Sequence, residues 1–263
     1  MEATISDFFN DVDFNSSDTC EVTKDDCVRC LSEGYWDDEV DYGCENKRLL
    51  YVVRYLPVHT REVRAALDLI PTEEVQKLLN NTNLNVVCLG GGPGTDNRAF
   101  NKWLNLKRMF KKGKLTDVRI TRVDRCSEWN NISPRIIWDE FPGDIRASLK
   151  KNNHDVVKHQ LTIGGKGQLL IASYLISEIE LEDIDKLADN IKRISANGAH
   201  LVINDRNQPA VVEKIEALYE ALGVESPTVC NAQFHCGVSY PDEIREQSRP
   251  KLNTSSIKFY GKI

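Results

Sequence analysis

The run Val86-Val87-Cys88-Leu89-Gly90-Gly91-Gly92-Pro93-Gly94-Thr95-Asp96 combines an apolar stretch, a glycine turn and an acidic exit. Glycine takes backbone angles that other residues avoid and lets a ligand approach the main chain closely. A turn of this kind between a buried strand and a helix builds a nucleotide site at the carboxyl edge of a sheet. Pyrophosphate versions favour G-x-G-x-x-G and a helix N-terminus free of acid. Asp96 would stand near a phosphate, which favours a ligand with positive charge and no phosphate. Asp124, at the end of Val118 to Val123, has the position to accept hydrogen bonds from ribose hydroxyls. The bland alternative is that Gly90, Gly92 and Gly94 make a tight turn and Asp124 caps the next segment.

Other groups are placed to serve the same mouth. Tyr174 and Glu178 follow the apolar run Gln168 to Ala172, where Tyr174 can line a reaction channel and Glu178 can orient a nucleophile or bind a cationic substrate. Either can instead complete a polar cap. Trp129 can stack on an adenine or anchor a loop. Asp205-Arg206 and His235-Cys236 are candidates for a substrate rim. From Arg98 to Arg125 ten basic residues face only Asp117 and Asp124, with Trp103 and Phe110 interleaved. That segment reads as an RNA-facing patch or as the basic outer face of an amphipathic helix. No HExxH pattern occurs among the five dispersed histidines, so no hydrolytic metal centre is expected. Cys27 and Cys30, with Cys20 and Cys44, can form a four-thiolate zinc site, a redox pair or ordinary reduced thiols.

The elements that must hold these groups follow from hydrophobic spacing. Leu49, Leu50, Val53 and Leu56 recur at helical intervals before Pro57, Thr60 can start a second helix through Ile70, and Pro71-Thr72-Glu73-Glu74 starts a third. Strands are expected at Leu84 to Leu89, Val118 to Val123, Gln168 to Ala172 and Ala199 to Ile203, with a weaker one at Val156 to Ile163. Residues 136 to 150 read as helical or irregular. Helices are expected from about Thr95 to Phe110, Leu181 to Ile194 and Val211 to Leu222. Thr228 to His235 and Ser256 to Tyr260 supply a terminal antiparallel pair. The alternation predicts an α/β fold, a Rossmann-like doubly wound seven-stranded sheet with an antiparallel C-terminal strand and an N-terminal helical and acidic extension.

The motif VVCLGGGPGTD and the acidic end of VRITRVD resemble the class I S-adenosylmethionine-dependent methyltransferases from about Leu84 to the C-terminus. The resemblance implies a seven-stranded sheet, S-adenosyl-L-methionine across Gly90, Gly92 and Gly94, and Asp124 on its ribose; Asp96 and Trp129 complete the expected cofactor set. It implies methyl transfer near Tyr174 and Glu178. This chain has Cys88 and Leu89 where the family often carries an acidic residue, and it lacks the NPPY or DPPY of several nucleic-acid amino-methyltransferases. The methyl acceptor stays open between RNA, a small molecule and a protein. The rival readings are an NAD(P)-dependent Rossmann oxidoreductase and a noncatalytic adenosyl-ligand-binding protein.

The net charge of -6 is uneven. Residues 1 to 45 carry 14 acidic residues against Lys24 and Arg29, while the remainder carries 32 basic against 26 acidic. The leader therefore reads as a solvated, partly disordered extension or as a screen over a basic surface. Expected boundaries are 1–45 for this extension, 46–83 for a helical preface and 84–263 for the core. No apolar run is long enough to span a bilayer, and the acidic start lacks the features of a secretory signal, so a cytoplasmic or nuclear location is expected. The sequence leaves the oligomeric state open.

Overall fold

The computed structural model describes residues 1–16, 19–20, 26, 31, 42–111 and 113–263. At its centre a seven-stranded sheet runs in the order β3-β2-β1-β4-β5-β7-β6. The strands are β1 (Asn83–Leu89), β2 (Asp117–Val123), β3 (Arg146–Asn152), β4 (Gly167–Ser173), β5 (Ser195–Arg206), β6 (Thr228–Cys230) and β7 (Ser256–Lys262). Pairs among β1 to β5 are parallel, and β7 is antiparallel to both β5 and β6, with Ile203 opposite Phe259. The sheet is the α/β, doubly wound arrangement expected.

Both faces are covered, which is why the central strands are apolar on successive residues rather than alternately. On one face Val87, Leu89, Leu170 and Ile203 pack under α7 (Ile184–Ile194) and α8 (Pro209–Ala221). On the other, Val86, Cys88, Ile171 and Val202 meet α2 (Glu45–Leu67), α3 (Thr72–Asn80) and α4 (Thr95–Phe110). The leader begins with a helix, α1 (Glu2–Asn10), whose Ile5, Phe8 and Phe9 share one face and are buried in a third cluster with Leu49, Leu50 and Val53 of α2. Two short helices, α5 (Trp129–Ile132) and α6 (Pro134–Ile137), and α9 (Asp242–Ser248) complete that cluster through Trp129, Ile136 and Ile244.

Two local expectations are corrected. The chain does not restart at Thr60: α2 runs through Pro57 as one 23-residue helix. Proline has no N–H for the carbonyl four residues back. That carbonyl, of Val53, instead accepts the buried Tyr240 hydroxyl at 2.9 Å, and the neighbouring Arg54 carbonyl accepts Lys251 N–H at 3.2 Å. The C-terminal loop thus fastens onto the turn that the proline opens. The third strand lies at Arg146–Asn152 rather than Val156 to Ile163. As the edge of the sheet it is largely exposed and needs no apolar run, so Ala147 and Leu149 are its only inward marks. Val156 and Leu161 are buried from a loop whose backbone is satisfied by Asn190 of α7: the amide donates to Val156 O and His159 O, both at 2.8 Å, and accepts from Leu161 N–H at 2.9 Å.

Among the described residues no helix is long and apolar enough to cross a membrane. Cys44 is disulfide-bonded, so it is not a thiolate and the four-thiolate zinc reading loses one of its ligands. Cys27 and Cys30 lie outside the described residues. Cys20 is buried against Lys47, whose ammonium donates to its sulfur at 3.2 Å.

Candidate active site

The carboxyl ends of β1, β2 and β4 open into a cavity of about 650 Å³. Its floor is the glycine turn. Gly90 and Gly92 have φ of 63° and 42°, and a methyl group on Gly92 would project into open space, with Gly90 O at 3.9 Å its nearest atom. Gly94 has another task. Its φ is 98°, a methyl group there would lie 2.6 Å from Ile137 Cγ1, and it is not in the cavity wall. It lets the start of α4 pack against α6, so its expected direct contact with a cofactor is replaced by a packing role.

Asp124 ties the turn to the end of β2. Its Oδ2 accepts Gly92 N–H at 2.6 Å and its Oδ1 accepts Cys126 N–H at 2.9 Å, leaving a lone pair on each oxygen for a ligand hydroxyl. Burial lifts its pKa, while those backbone donors and Arg122 hold it down. Arg122 is fully buried and also supports the turn, donating to Gly92 O at 2.9 Å and to Asn130. Asp96, in the first turn of α4, is 2% exposed, lines the cavity and has an Oδ2 without a hydrogen-bond partner. Burial, with the Asp124 carboxylate adding to it, pushes the Asp96 carboxyl well above the usual range. A buried carboxyl with an unused acceptor is the chemistry of a cation site. Together with the open space over Gly92 and the lone pairs on Asp124, it fits a ligand carrying ribose hydroxyls and positive charge.

Tyr174 follows β4 with φ of 53°, unusual for a residue with a side chain. Three contacts hold it there: its N–H donates to Asn204 O at 2.9 Å, its hydroxyl donates to Glu62 Oε2 at 2.9 Å, and its ring stacks on His59 with centroids 4.3 Å apart. Glu62 is fully buried and uses its other oxygen to accept the N–H groups of Ser255 and Ser256 at 2.8 and 3.2 Å. Burial, with Lys251 adding to it, keeps His59 neutral by lowering its pKa well below the ordinary value. His59 and Glu62, together with the wall residues Tyr42 and Tyr51, escaped the sequence reading because they lie on or before α2, far from the motifs; their only signal was polar and aromatic letters on a buried helix.

Glu178 is half-exposed in the cavity wall, with Arg125 3.9 Å away. Desolvation is the largest influence on it; Asp124 and Asp205 add to the rise and Arg125 and Arg206 oppose it, leaving a pKa of about 7. Trp129 also lines the cavity but is 2% exposed, its ring packed 5.0 Å from Tyr42 and 5.6 Å from Tyr51. Its broad face is spent on that cluster, so its geometry is that of an anchor. Arg206 reaches the wall, Asp205 is buried and accepts Ser177 N–H at 3.1 Å, and neither His235 nor Cys236 lines the cavity.

The wall is acid-rich. Glu128, Asp155, Glu180 and Asp183 join Asp96, Asp124 and Glu178, against Arg125, Lys158 and Arg206. The basic segment from Arg98 to Arg125 is largely engaged elsewhere. Arg98 is buried on Asp139 and Glu140, Lys107 pairs with Asp68 at 2.7 Å, Arg108 with Asp144, and Lys111 donates to Thr72 O at 3.0 Å.

The strand order, the antiparallel β7 and the glycine turn under an acidic β2 end make this a class I methyltransferase fold. No protein-family model matches the sequence, and no curated protein matches it. Solved structures similar to the chain include the N-methyltransferase NodS from Bradyrhizobium japonicum WM9 in complex with S-adenosyl-L-homocysteine (14% identity, 90% of this chain and 98% of that one, TM-score 0.43). A TehB-like SAM-dependent methyltransferase from Corynebacterium glutamicum is 10% identical over 76% of this chain and 85% of its own, with a TM-score of 0.42. An rRNA methylase from Streptococcus thermophilus is 11% identical over 72% and 90%, with a TM-score of 0.40.

Proposed function

We propose that the chain is a methyltransferase that binds S-adenosyl-L-methionine in the cavity at the glycine turn. The observation that carries this is the unpartnered, buried Asp96 carboxyl beside the Gly90–Gly92 floor and the Asp124 carboxylate. In this reading Asp124 holds the ribose hydroxyls, Gly90 and Gly92 admit the ligand's backbone-side edge, and Asp96 pairs with its positive charge. The bound sulfonium supplies an electrophilic methyl group. Tyr174, fixed by Glu62 and His59, orients the acceptor, and the alignment of nucleophile and methyl provides much of the rate. Glu178, titrating near neutrality, handles the acceptor's proton.

The NAD(P) alternative is disfavoured by the same residue. A pyrophosphate at the start of α4 would meet Asp96 in a site where burial strengthens repulsion. An RNA partner along the Arg98 to Arg125 segment draws little support, because most of its named charges are paired within the chain. Calorimetry with S-adenosyl-L-methionine, S-adenosylhomocysteine, NAD and NADP tests the reading. Binding of an adenosyl ligand and neither dinucleotide is expected. NADP binding with no response to either adenosyl ligand overturns it.

A further inference from the structure

We propose that the methyl acceptor is an amine, bound as its ammonium ion against Glu178 and Glu180 and methylated on nitrogen. This rests on the methyl-transfer reading above and names the substrate class of that site. The first ground is charge. The cofactor's own cation has a dedicated partner in Asp96, buried with an unused oxygen. The carboxylates of Glu178 and Glu180 remain beyond β4, on the same wall as Tyr174. Glu180 has no side-chain partner among the described residues, and Glu178 has only the long 3.9 Å approach of Arg125. An anionic acceptor would have to enter past both.

The second ground is proton balance. The acceptor nitrogen forms the new N–C bond, the electron pair of the broken S–C bond stays with sulfur, and nitrogen gives up one proton for the methyl it gains. An amine arriving as ammonium must also shed a proton before its lone pair is available. The half-exposed Glu178 carboxylate takes each proton and returns it to water. The groups facing it are Asp124 and Arg125 from the end of β2 and Asp205 and Arg206 from the end of β5, and the balance leaves it titrating at about 7. It is ionised where it must receive a proton and close enough to neutrality to release one.

The test uses full-length protein saturated with S-adenosylhomocysteine, titrated by calorimetry at several pH values with two isosteric sets: phenethylamine, phenethyl alcohol and hydrocinnamate, and hexylamine, hexanol and hexanoate. The amine of at least one set is expected to bind roughly tenfold tighter than its alcohol, with the carboxylate weakest, as a charge-assisted contact provides. Its affinity should rise with pH through about 7 as Glu178 ionises. Glu178→Gln should abolish that rise and the preference for amine over alcohol while S-adenosylhomocysteine still binds. Alcohols or carboxylates binding as tightly as the amines, no amine binding, or an unchanged pH dependence in Glu178→Gln overturns the amine assignment. These failures are distinguishable from failure of the cofactor reading, which shows as absent S-adenosylhomocysteine binding in the first titration.

Discussion

Replacing Asp96 by Asn should weaken S-adenosyl-L-methionine binding and stabilise the ligand-free protein at the same time. The carboxyl is 2% exposed, one oxygen has no partner, and the neighbouring Asp124 adds repulsion. A hydrogen bond to a charged group contributes about 1.5–3 kcal/mol, so losing the charge should raise Kd roughly 10- to 150-fold. The stability effect follows from linkage. A carboxyl whose folded pKa is raised binds its proton more tightly folded than unfolded. Its contribution is therefore intact at acid pH and is lost as pH rises from the ordinary aspartate value through the raised one. Asn removes that loss, so the gain in Tm should be absent at pH 4 and present at pH 8. Calorimetry for the ligand and differential scanning at both pH values read the two effects. Unchanged affinity together with a lower Tm at pH 8 would refute the reasoning, since Asp96 would then be a structural acceptor.

Gly92→Ala and Gly94→Ala should separate binding from packing. The first adds a methyl group to open cavity and should cost about 1 kcal/mol of stability while lowering cofactor affinity about tenfold or more; the second drives Cβ to 2.6 Å from Ile137 and should cost about 2–4 kcal/mol, read by urea denaturation. Tyr240→Phe strips the donor from Val53 O and should cost about 1–2 kcal/mol, and less in a Pro57→Ala background, where the new N–H takes that carbonyl; a double-mutant cycle measures the difference. Glu62→Gln places an amide donor among the donors of Tyr174, Ser255 and Ser256 and should cost about 1–3 kcal/mol, with a lower kcat in any methyl-transfer assay.

The buried strands were legible because two covered faces demand consecutive apolar residues, as in Val86 to Leu89 and Leu169 to Ala172. The same rule hid β3, an edge strand with little to bury, and promoted Val156 and Leu161, which enter the core from a loop. Pro57 reads as a helix end in isolation; the compensation comes from Tyr240, 183 residues on in chain order, and no local pattern encodes such a contact. At the site, Gly90, Gly92, Asp96, Asp124, Tyr174 and Glu178 reach one cavity as their strand-end positions suggested. Gly94 and Trp129 turn toward packing, because spacing locates a residue without fixing which way it faces. The basic letters from Arg98 onward looked like a surface because their partners, Asp68, Asp139, Glu140 and Asp144, stand on other elements.

A crystal structure of the protein with S-adenosylhomocysteine tests the central claim most directly. The account predicts adenosyl density in the cavity over Gly90 and Gly92, with both ribose hydroxyls on the Asp124 carboxylate and the ligand's ammonium toward Asp96. Ligand bound elsewhere, or a ribose turned away from Asp124, would contradict it.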